Sequence, residues 1–418
     1  MNALLGVAGA VPRYLRLLRS QHWSAERRRA YVEARLARTL RAARRIPFYR
    51  ERLDGRAGVR DWAALPSLPR AEVAGLEQSV RSLHSPHARF VSSRTSGSTG
   101  MPTTFLFDGS HQRGRFAARV RYLLGNGWSP LRRSAWVVQL RPDTPDDVFT
   151  ASRGVLGSRF FSHLDDLEAL AAALRTFDPV YLYAFPVTLD GLTRIFPAGS
   201  RPLPSLRRVF SGSEVLDDSV RDRVRDVFGV DVSDNYGSSE AFLAWQCTAG
   251  SYHVNMEHVL LEIVDDAGRP VAPGRLGRVL VTTLENFLMP LVRYEIGDHA
   301  VAADGECACG RTLPLMGRIV GRGINLFVGA DRKPFVPWQL LRPLKDRPWV
   351  RQYQLVQRRI DAFLVRYAAD RPLSAEDEQA LRDHVAQQLG IPVTIAFERL
   401  DAVPRTPSGK FMTAICEL

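Results

Sequence analysis

Lysine is nearly missing from this chain. Of 418 residues only Lys333, Lys345 and Lys410 are lysine, against 54 arginines, although basic side chains outnumber acidic ones 57 to 44 and leave a formal charge of +13. Cysteine is also scarce, at positions 247, 307, 309 and 416, which excludes a secreted disulfide scaffold and fits a reducing cytoplasm. No uninterrupted apolar run reaches about twenty residues, so no membrane span is expected. The apolar start lacks a charged leader and runs into Arg13, Arg16 and Arg19 without a cleavage site, so a signal peptide is not expected either. A positive surplus raises the question of polyanion binding. Arginine is spread along the whole chain with no nucleic-acid-recognition signature, and it reads as biased encoding; neither a nucleic acid nor a membrane is expected as partner. Each retained lysine then becomes informative, because a compact ammonium can act as a point charge where a planar guanidinium cannot.

What is present is ordinary for a globular protein: 45% apolar, 9% aromatic and 24% charged residues, in a length that allows a large domain and a small one. Leu36, Leu40, Ala43 and Ile46 recur at helical spacing between Ser24 and Leu53, with Pro47 ending the run. From about residue 85 to 300, short apolar runs (Ala135 to Leu140, Pro179 to Tyr183, Arg207 to Phe210, Asp231 to Asn235) alternate with helical stretches (Leu167 to Thr176, Asp217 to Phe228). That alternation predicts an α/β domain with a mostly parallel sheet, followed by a β-rich subregion at His253 to Asp265 and Gly277 to Thr283. The last hundred residues read as a small α+β domain: a hairpin from Gln352 to Tyr367, a helix from Ala375 to Leu389 opened by a Ser374/Asp377 capping box, and a strand at Val393 to Phe397. The expected boundary separates residues 1–317 from 318–418.

Ser92 to Phe105 reads SSRTSGSTGMPTTF. Gly97 and Gly100 permit close backbone approach, and Thr95, Ser96, Ser98 and Thr99 add hydroxyl donors, a composition suited to wrapping a triphosphate. The GxxxxGK[ST] order of a Walker loop is absent. Further along, in order, come Gly212-Ser213-Glu214, Asp234-Asn235-Tyr236-Gly237-Ser238-Ser239-Glu240, Arg293-Tyr294-Glu295-Ile296-Gly297-Asp298, Gly321-Arg322 and Pro404-Arg405-Thr406-Pro407-Ser408-Gly409-Lys410-Phe411.

This ordered set resembles the adenylate-forming ligase superfamily, and within it the phenylacetate–coenzyme A ligase-like branch. The resemblance covers nearly the whole chain. It implies ATP-dependent activation of a carboxylic acid, expected to be aromatic, as an acyl-adenylate that passes to coenzyme A. By that resemblance Thr95, Ser96, Gly97, Ser98, Thr99 and Gly100 grip the phosphates, Glu240 binds Mg²⁺, and Ser239 holds the α-phosphate. Asp298 accepts both ribose hydroxyls, Arg322 contacts the same ribose, Tyr236 and Gly237 cover the adenine, and Ser213 and Glu214 line its edge. Lys410 is the catalytic lysine of a mobile small domain, reaching the carboxylate and α-phosphate. Arg293 is left between two roles, pairing with substrate or bracing its strand.

Thr103 stands where many superfamily members carry Lys, a lysine that this branch commonly lacks. Gly323-Ile324-Asn325 replaces the acidic pair common after the hinge Gly-Arg, which motivates an alternative acceptor: an amine, a hydroxyl or a carrier-protein thiol, as in an amide ligase or adenylyltransferase. Cys247, His253, Cys307 and Cys309 together supply three thiolates and an imidazole, a full tetrahedral shell for structural Zn²⁺. The acid-binding pocket is expected among Trp136 to Leu140, Tyr183 to Pro186, Phe210 to Gly212 and Asn235 to Gly237.

Overall fold

The computed structural model describes residues 2–53, 62–85, 87–94, 103–138, 157–322, 326–335, 337–345, 347, 349–404 and 412–418. The chain divides into two compact units, one extending to Ile319 and the other from Val320 to Leu418.

Three helices open the first unit: α1 (Asn2–Ser20), α2 (Ala25–Ala43) and α3 (Pro47–Leu53). Ser24 starts α2 by accepting the Arg27 amide. Pro47 does not end that helix; α2 stops at Ala43, and Pro47 opens α3, since a first helical position needs no N–H donor. The expected apolar face holds: Leu36, Leu40, Ala43 and Ile46 are buried in the same core as Val279, Val281 and Leu284. After α4 (Val73–Arg81), strands β1 (Val91–Arg94) and β2 (Thr104–Phe107) form a separate antiparallel pair leading into α5 (Gly109–Gly125).

The large sheet begins with β3 (Ser134–Val138) and β4 (Ser158–Ser162). Then helices and strands alternate: α6 (Leu167–Phe177), β5 (Tyr181–Tyr183), α7 (Pro186–Ile195), β6 (Arg208–Gly212), α8 (Asp218–Phe228) and β7 (Val232–Gly237). Helix α8 shows why: Val220, Val224, Val227 and Phe228 form one buried stripe at helical spacing, Asp217 caps the start and Gly229 at φ 72° ends it. All pairings among β3 to β7 are parallel.

Six more strands follow: β8 (Phe242–Gln246), β9 (Tyr252–Val254), β10 (Val259–Val264), β11 (Leu276–Thr283), β12 (Tyr294–Ala302) and β13 (Leu315–Arg322). They do not make a separate layer but continue the same eleven-stranded sheet, in the order β10-β11-β12-β13-β9-β8-β7-β6-β5-β3-β4. Pairing turns antiparallel at β7–β8, and β8–β9, β9–β13, β10–β11 and β11–β12 are antiparallel too. The expected strand His253 to Asp265 is split because Asn255, Glu257 and His258 are buried and spoken for. Asn255 donates to the Phe242 carbonyl, Glu257 pairs with Arg121 at 2.9 Å and His258 lies 2.6 Å from Glu285.

The second unit holds the short pair β14 (Phe327–Val328) and β15 (Pro334–Phe335), then β16 (Val350–Arg359), β17 (Ala362–Ala369), α9 (Ala375–Leu389), β18 (Thr394–Arg399) and β19 (Ala414–Cys416). Its main sheet runs β18-β17-β16-β19 around a core that includes Leu355, Val365, Leu381 and Val385. Both halves of the Ser374/Asp377 capping box are formed, and α9 has the predicted limits.

Candidate active site

Strands β6 and β7 are parallel neighbours, and the edge beyond their carboxyl ends is where open α/β sheets place ligands. Gly212 and Asn235 are register partners there. A Cβ on Gly212 would sit 2.4 Å from Asn235 Nδ2, so a larger residue there would displace the Asn235 side chain. The Asn235 amide donates to the Ser211 carbonyl, and Ser213 turns the chain away at φ 72°, a left-handed conformation costly for a non-glycine residue. Glu214 does not stand free at this edge: its Oε2 accepts the Val187 amide, 3.2 Å away, at the start of α7. The helix dipole favours a carboxylate there.

Asp298 reaches the same edge through a fault in its strand. Along β11 and β12, Leu280 pairs with Glu295 but Arg278 pairs with His299, so β12 carries extra residues around Gly297, whose φ is 87°. A bulge of this kind re-aims side chains. Here Tyr236 donates its hydroxyl to Asp298 Oδ2 at 2.7 Å, which joins two predicted site residues 62 positions apart.

Glu240 follows β7 and is buried. Its Oε1 accepts the Tyr294 hydroxyl at 3.1 Å and lies 3.7 Å from the Arg70 guanidinium, which also donates to the Tyr294 oxygen at 3.2 Å. The loop before it is clamped by Arg115 of α5, whose two terminal nitrogens donate to the Ser238 and Ser239 carbonyls at 2.9 and 3.1 Å. Ser238 Oγ accepts the Glu240 and Ala241 amides. Close by, His111 stacks on Phe107 with ring centroids 4.7 Å apart; burial, with help from Arg115 and His258, pushes its pKa down to about 3, so it is neutral. Sequence reasoning missed Arg70, Arg115 and His111. Two are arginines among 54, and nothing local distinguishes them.

Arg293 is settled by its contacts. It is buried, pairs with Glu262 at 3.1 Å, and donates to the carbonyls of Ala63, Leu65 and Gly268. All of these are main-chain or structural partners, so it braces the strand.

The expected acid pocket has an ordered aromatic lining. Phe160, Trp136, Tyr183 and Phe210 are successive register partners across β4, β3, β5 and β6, which places them in one row on one face of the sheet. Trp136 lies 5.7 Å from Tyr183 and 6.3 Å from Phe160, centroid to centroid. Phe210 is fully buried, whereas Phe160 and Tyr183 keep some exposure.

Thr95, Ser96, Gly97, Ser98, Thr99 and Gly100, the hinge Gly323-Ile324-Asn325, and Lys410 lie outside the described residues. Their flanks are held. Arg94 and Thr104, on either side of the Ser/Gly loop, are antiparallel partners. On the two sides of Lys410, Gln352 accepts the Val403 amide and Gln354 donates to the Met412 carbonyl. Arg322 ends β13.

Away from this edge, Cys247, His253, Cys307 and Cys309 gather with their ligand atoms all within 4.8 Å of one another. Cys247 and Cys307 sulfurs are 3.6 Å apart, and Cys309 Sγ lies 3.3 Å from His253 Nε2. Tetrahedral zinc with Zn–S bonds of about 2.3 Å spaces its sulfurs roughly 3.8 Å apart, so the donor set fits that ion in kind and in spacing. All four cysteines are free of disulfides.

A family model described as AMP-binding enzyme matches residues 153–289, and one described as CapK C-terminal domain matches 328–417. The phenylacetate-coenzyme A ligase of Thermus thermophilus is 26% identical over 438 residues, covering 92% of this chain and 95% of that protein. The Escherichia coli protein of the same name is 28% identical over 226 residues, covering 48% and 49%. Among solved structures, a 2-hydroxyisobutyryl-CoA ligase in the postadenylation state superposes with a TM-score of 0.75 at 20% identity, over 96% of this chain and 91% of that one, a likeness of fold. The chain thus carries an AMP-binding enzyme match over residues 153–289 and is similar along nearly its whole length to a phenylacetate–coenzyme A ligase, with the fold of an adenylate-forming ligase.

Proposed function

We propose that the protein activates a carboxylic acid with ATP and passes the acyl group to coenzyme A. The observation that carries this reading is the convergence of Tyr236, Asp298 and Glu240 at the carboxyl edge of β6 and β7, built by a β-bulge and two clamping arginines. In the first half-reaction an oxygen of the substrate carboxylate bonds to the α-phosphorus of ATP while the bond to pyrophosphate breaks. Positioning of the two anions and neutralisation of the developing charge are the protein's tasks. Asp298 would accept the ribose hydroxyls, held in place by Tyr236. The Tyr236 ring and Gly237 would cover the adenine, with Ser213 at its edge, while Glu214 acts by fixing the start of α7. Lys410 would supply the ammonium at the carboxylate and α-phosphate, with Thr95 to Gly100 on the departing phosphates, Ser239 at the α-phosphate and Arg322 at the ribose.

Glu240 is the carboxylate suited to Mg²⁺, a hard cation that binds one or two carboxylates together with substrate phosphates. When bound, that ion neutralises phosphate charge. In the second half-reaction the coenzyme A thiol loses its proton, its sulfur bonds to the acyl carbon, and AMP leaves. The aromatic row from Phe160 to Phe210 supports a flat acid. Cys247, His253, Cys307 and Cys309 would hold zinc; with four protein ligands there is no open position, and its role is structural. ATP and coenzyme A as substrates favour a cytoplasmic site of action.

The test is a pyrophosphate-release screen over aryl, arylacetic and aliphatic acids, repeated with coenzyme A, hydroxylamine and amines. Acid-dependent release coupled to thioester formation is expected. Hydroxamate formation with no coenzyme A turnover would instead support an amine, hydroxyl or carrier-thiol acceptor.

A further inference from the structure

The net charge is not evenly laid out once it is counted by element. Residues 1–53, which form α1 to α3, hold thirteen arginines against three glutamates, with no aspartate and no lysine. That surplus of ten leaves only three of the +13 for the rest of the chain. Biased encoding explains arginine in place of lysine; it does not explain why acidic residues are so few in these helices.

The same segment exposes aliphatic side chains. Val11, Leu15 and Leu18 of α1 are 49%, 49% and 37% exposed, and their spacing of four and three residues puts them on one stripe of the helix. Leu17 and Ser20, on the other side, are buried. Arg16 and Arg19 flank the stripe and are exposed. A crevice of about 480 Å³ joins this stripe to the start of α2, lined by Leu15, Arg16, Arg19, Trp23, Arg27 and Tyr31. Arg27 lies over the Trp23 ring at 4.5 Å. Among the described residues the Tyr31 hydroxyl has no hydrogen-bond partner.

We infer that α1 and the start of α2 form a peripheral docking surface for an anionic lipid bilayer. An aliphatic stripe lying along a helix and rimmed by arginine is the pattern of helices that lie in the membrane interface, and reversible attachment needs both an apolar and a basic contribution. The crevice is suited to a lipid phosphate: Arg16, Arg19 and Arg27 supply the charge, and Trp23 belongs to the residue type enriched at the headgroup level. Nucleic acid matches the charge but would leave Val11, Leu15 and Leu18 in water. An acidic protein would need an apolar partner face shaped to a convex helix. This surface attaches without spanning, in keeping with the lack, among the described residues, of a helix long and apolar enough to cross a membrane. It revises the expectation, drawn from dispersed arginine, that no membrane is met.

The experiment is co-sedimentation of the full chain with phosphatidylcholine vesicles, with and without one quarter phosphatidylglycerol, at low and high salt. Binding is expected only to the anionic vesicles and is expected to fall with salt. Replacing Arg16, Arg19 and Arg27 together by Gln should weaken it about a hundredfold, at ~1 kcal/mol per arginine. Leu15→Asp with Leu18→Asp should weaken it roughly tenfold or more with all arginines retained; Leu15→Ser with Leu18→Ser serves if the aspartates disturb folding. Vesicles should shift the tryptophan emission of the wild type to the blue, and less so that of Trp23→Phe. Three results overturn the inference: no binding to anionic vesicles, binding indifferent to both leucine pairs in variants that melt like wild type, or binding to poly-glutamate without binding to vesicles. The last would point to an acidic protein.

Discussion

Tyr236 donates its hydroxyl to Asp298 across 2.7 Å, tying the carboxyl end of β7 to the bulge in β12. The contact leaves Asp298 partly exposed while fixing one of its oxygens. If this carboxylate receives the ribose, Asp298→Asn should raise the KM for ATP roughly thirtyfold, the loss of charge-assisted hydrogen bonds worth about 2 kcal/mol. Tyr236→Phe should raise it only a few-fold. Initial-rate kinetics with varied ATP test both, and an unchanged KM in Asp298→Asn would remove the ribose assignment.

Lys410→Ala should lower acid-dependent pyrophosphate exchange by about a thousandfold, in the range seen when a group stabilising transition-state charge is removed. Lys333 is exposed and lies 3.5 Å from Asp331, and Lys333→Ala should leave exchange intact. Full exchange in Lys410→Ala would show that the lysine has no part in adenylation.

Metal analysis of the purified protein should find one zinc per chain. Cys307→Ser with Cys309→Ser should lose it and lower the melting temperature by roughly 5–10 °C, because binding free energy at such a site is folding free energy. A wild-type protein without zinc, melting no higher than the double variant, would count against the site.

Acid stability should depend on His111. Its folded pKa of about 3 lies below the ordinary value of 6.5 because burial disfavours the imidazolium. The folded state therefore binds this proton less readily than the unfolded chain, so its contribution is complete above about pH 6.5 and is lost as pH falls toward 3. Burial raises Asp234 to about 6 and Glu262 to about 7. Raised carboxyls act in the opposite sense, with stability present at low pH and lost as pH rises through those values. The measurable quantity is thus a difference: from pH 6.5 to 4.5 wild type should lose about 2–3 kcal/mol relative to His111→Gln in urea unfolding. Parallel pH curves would dispose of the idea.

Arg293→Ala should cost about 3 kcal/mol or more of stability, since it strands the buried Glu262 and leaves three carbonyls without their donor. The KM for the acid should not change in the folded fraction. A raised KM with unchanged melting would return Arg293 to the substrate.

The parts legible in the sequence are those governed by short-range chemistry. Helix α9 was readable to the residue because a capping box starts it and Gly390 at φ 67° stops it. Strands β3, β5, β6 and β7 were readable because apolar runs alternate with amphipathic helices. Misreadings arose where one local signal has two outcomes. Pro47 can end a helix or begin one, and His253 to Asp265 reads as a single strand until Asn255, Glu257 and His258 are seen to be claimed by other elements.

Residue identity and order by themselves determined the resemblance to adenylate-forming ligases, the alternating α/β plan, the four candidate zinc ligands and the lone lysine in the motif that carries that resemblance. Tertiary structure decided the rest. It continued the β-rich segment into one eleven-stranded sheet, brought Tyr236 to Asp298 through a bulge, and assigned Arg293 to bracing while recruiting Arg70 and Arg115 to the loop around Glu240. The reason is physical: propensity and patterning act over a few residues, whereas a hydrogen bond or ion pair between positions tens or hundreds apart exists only after the chain has packed.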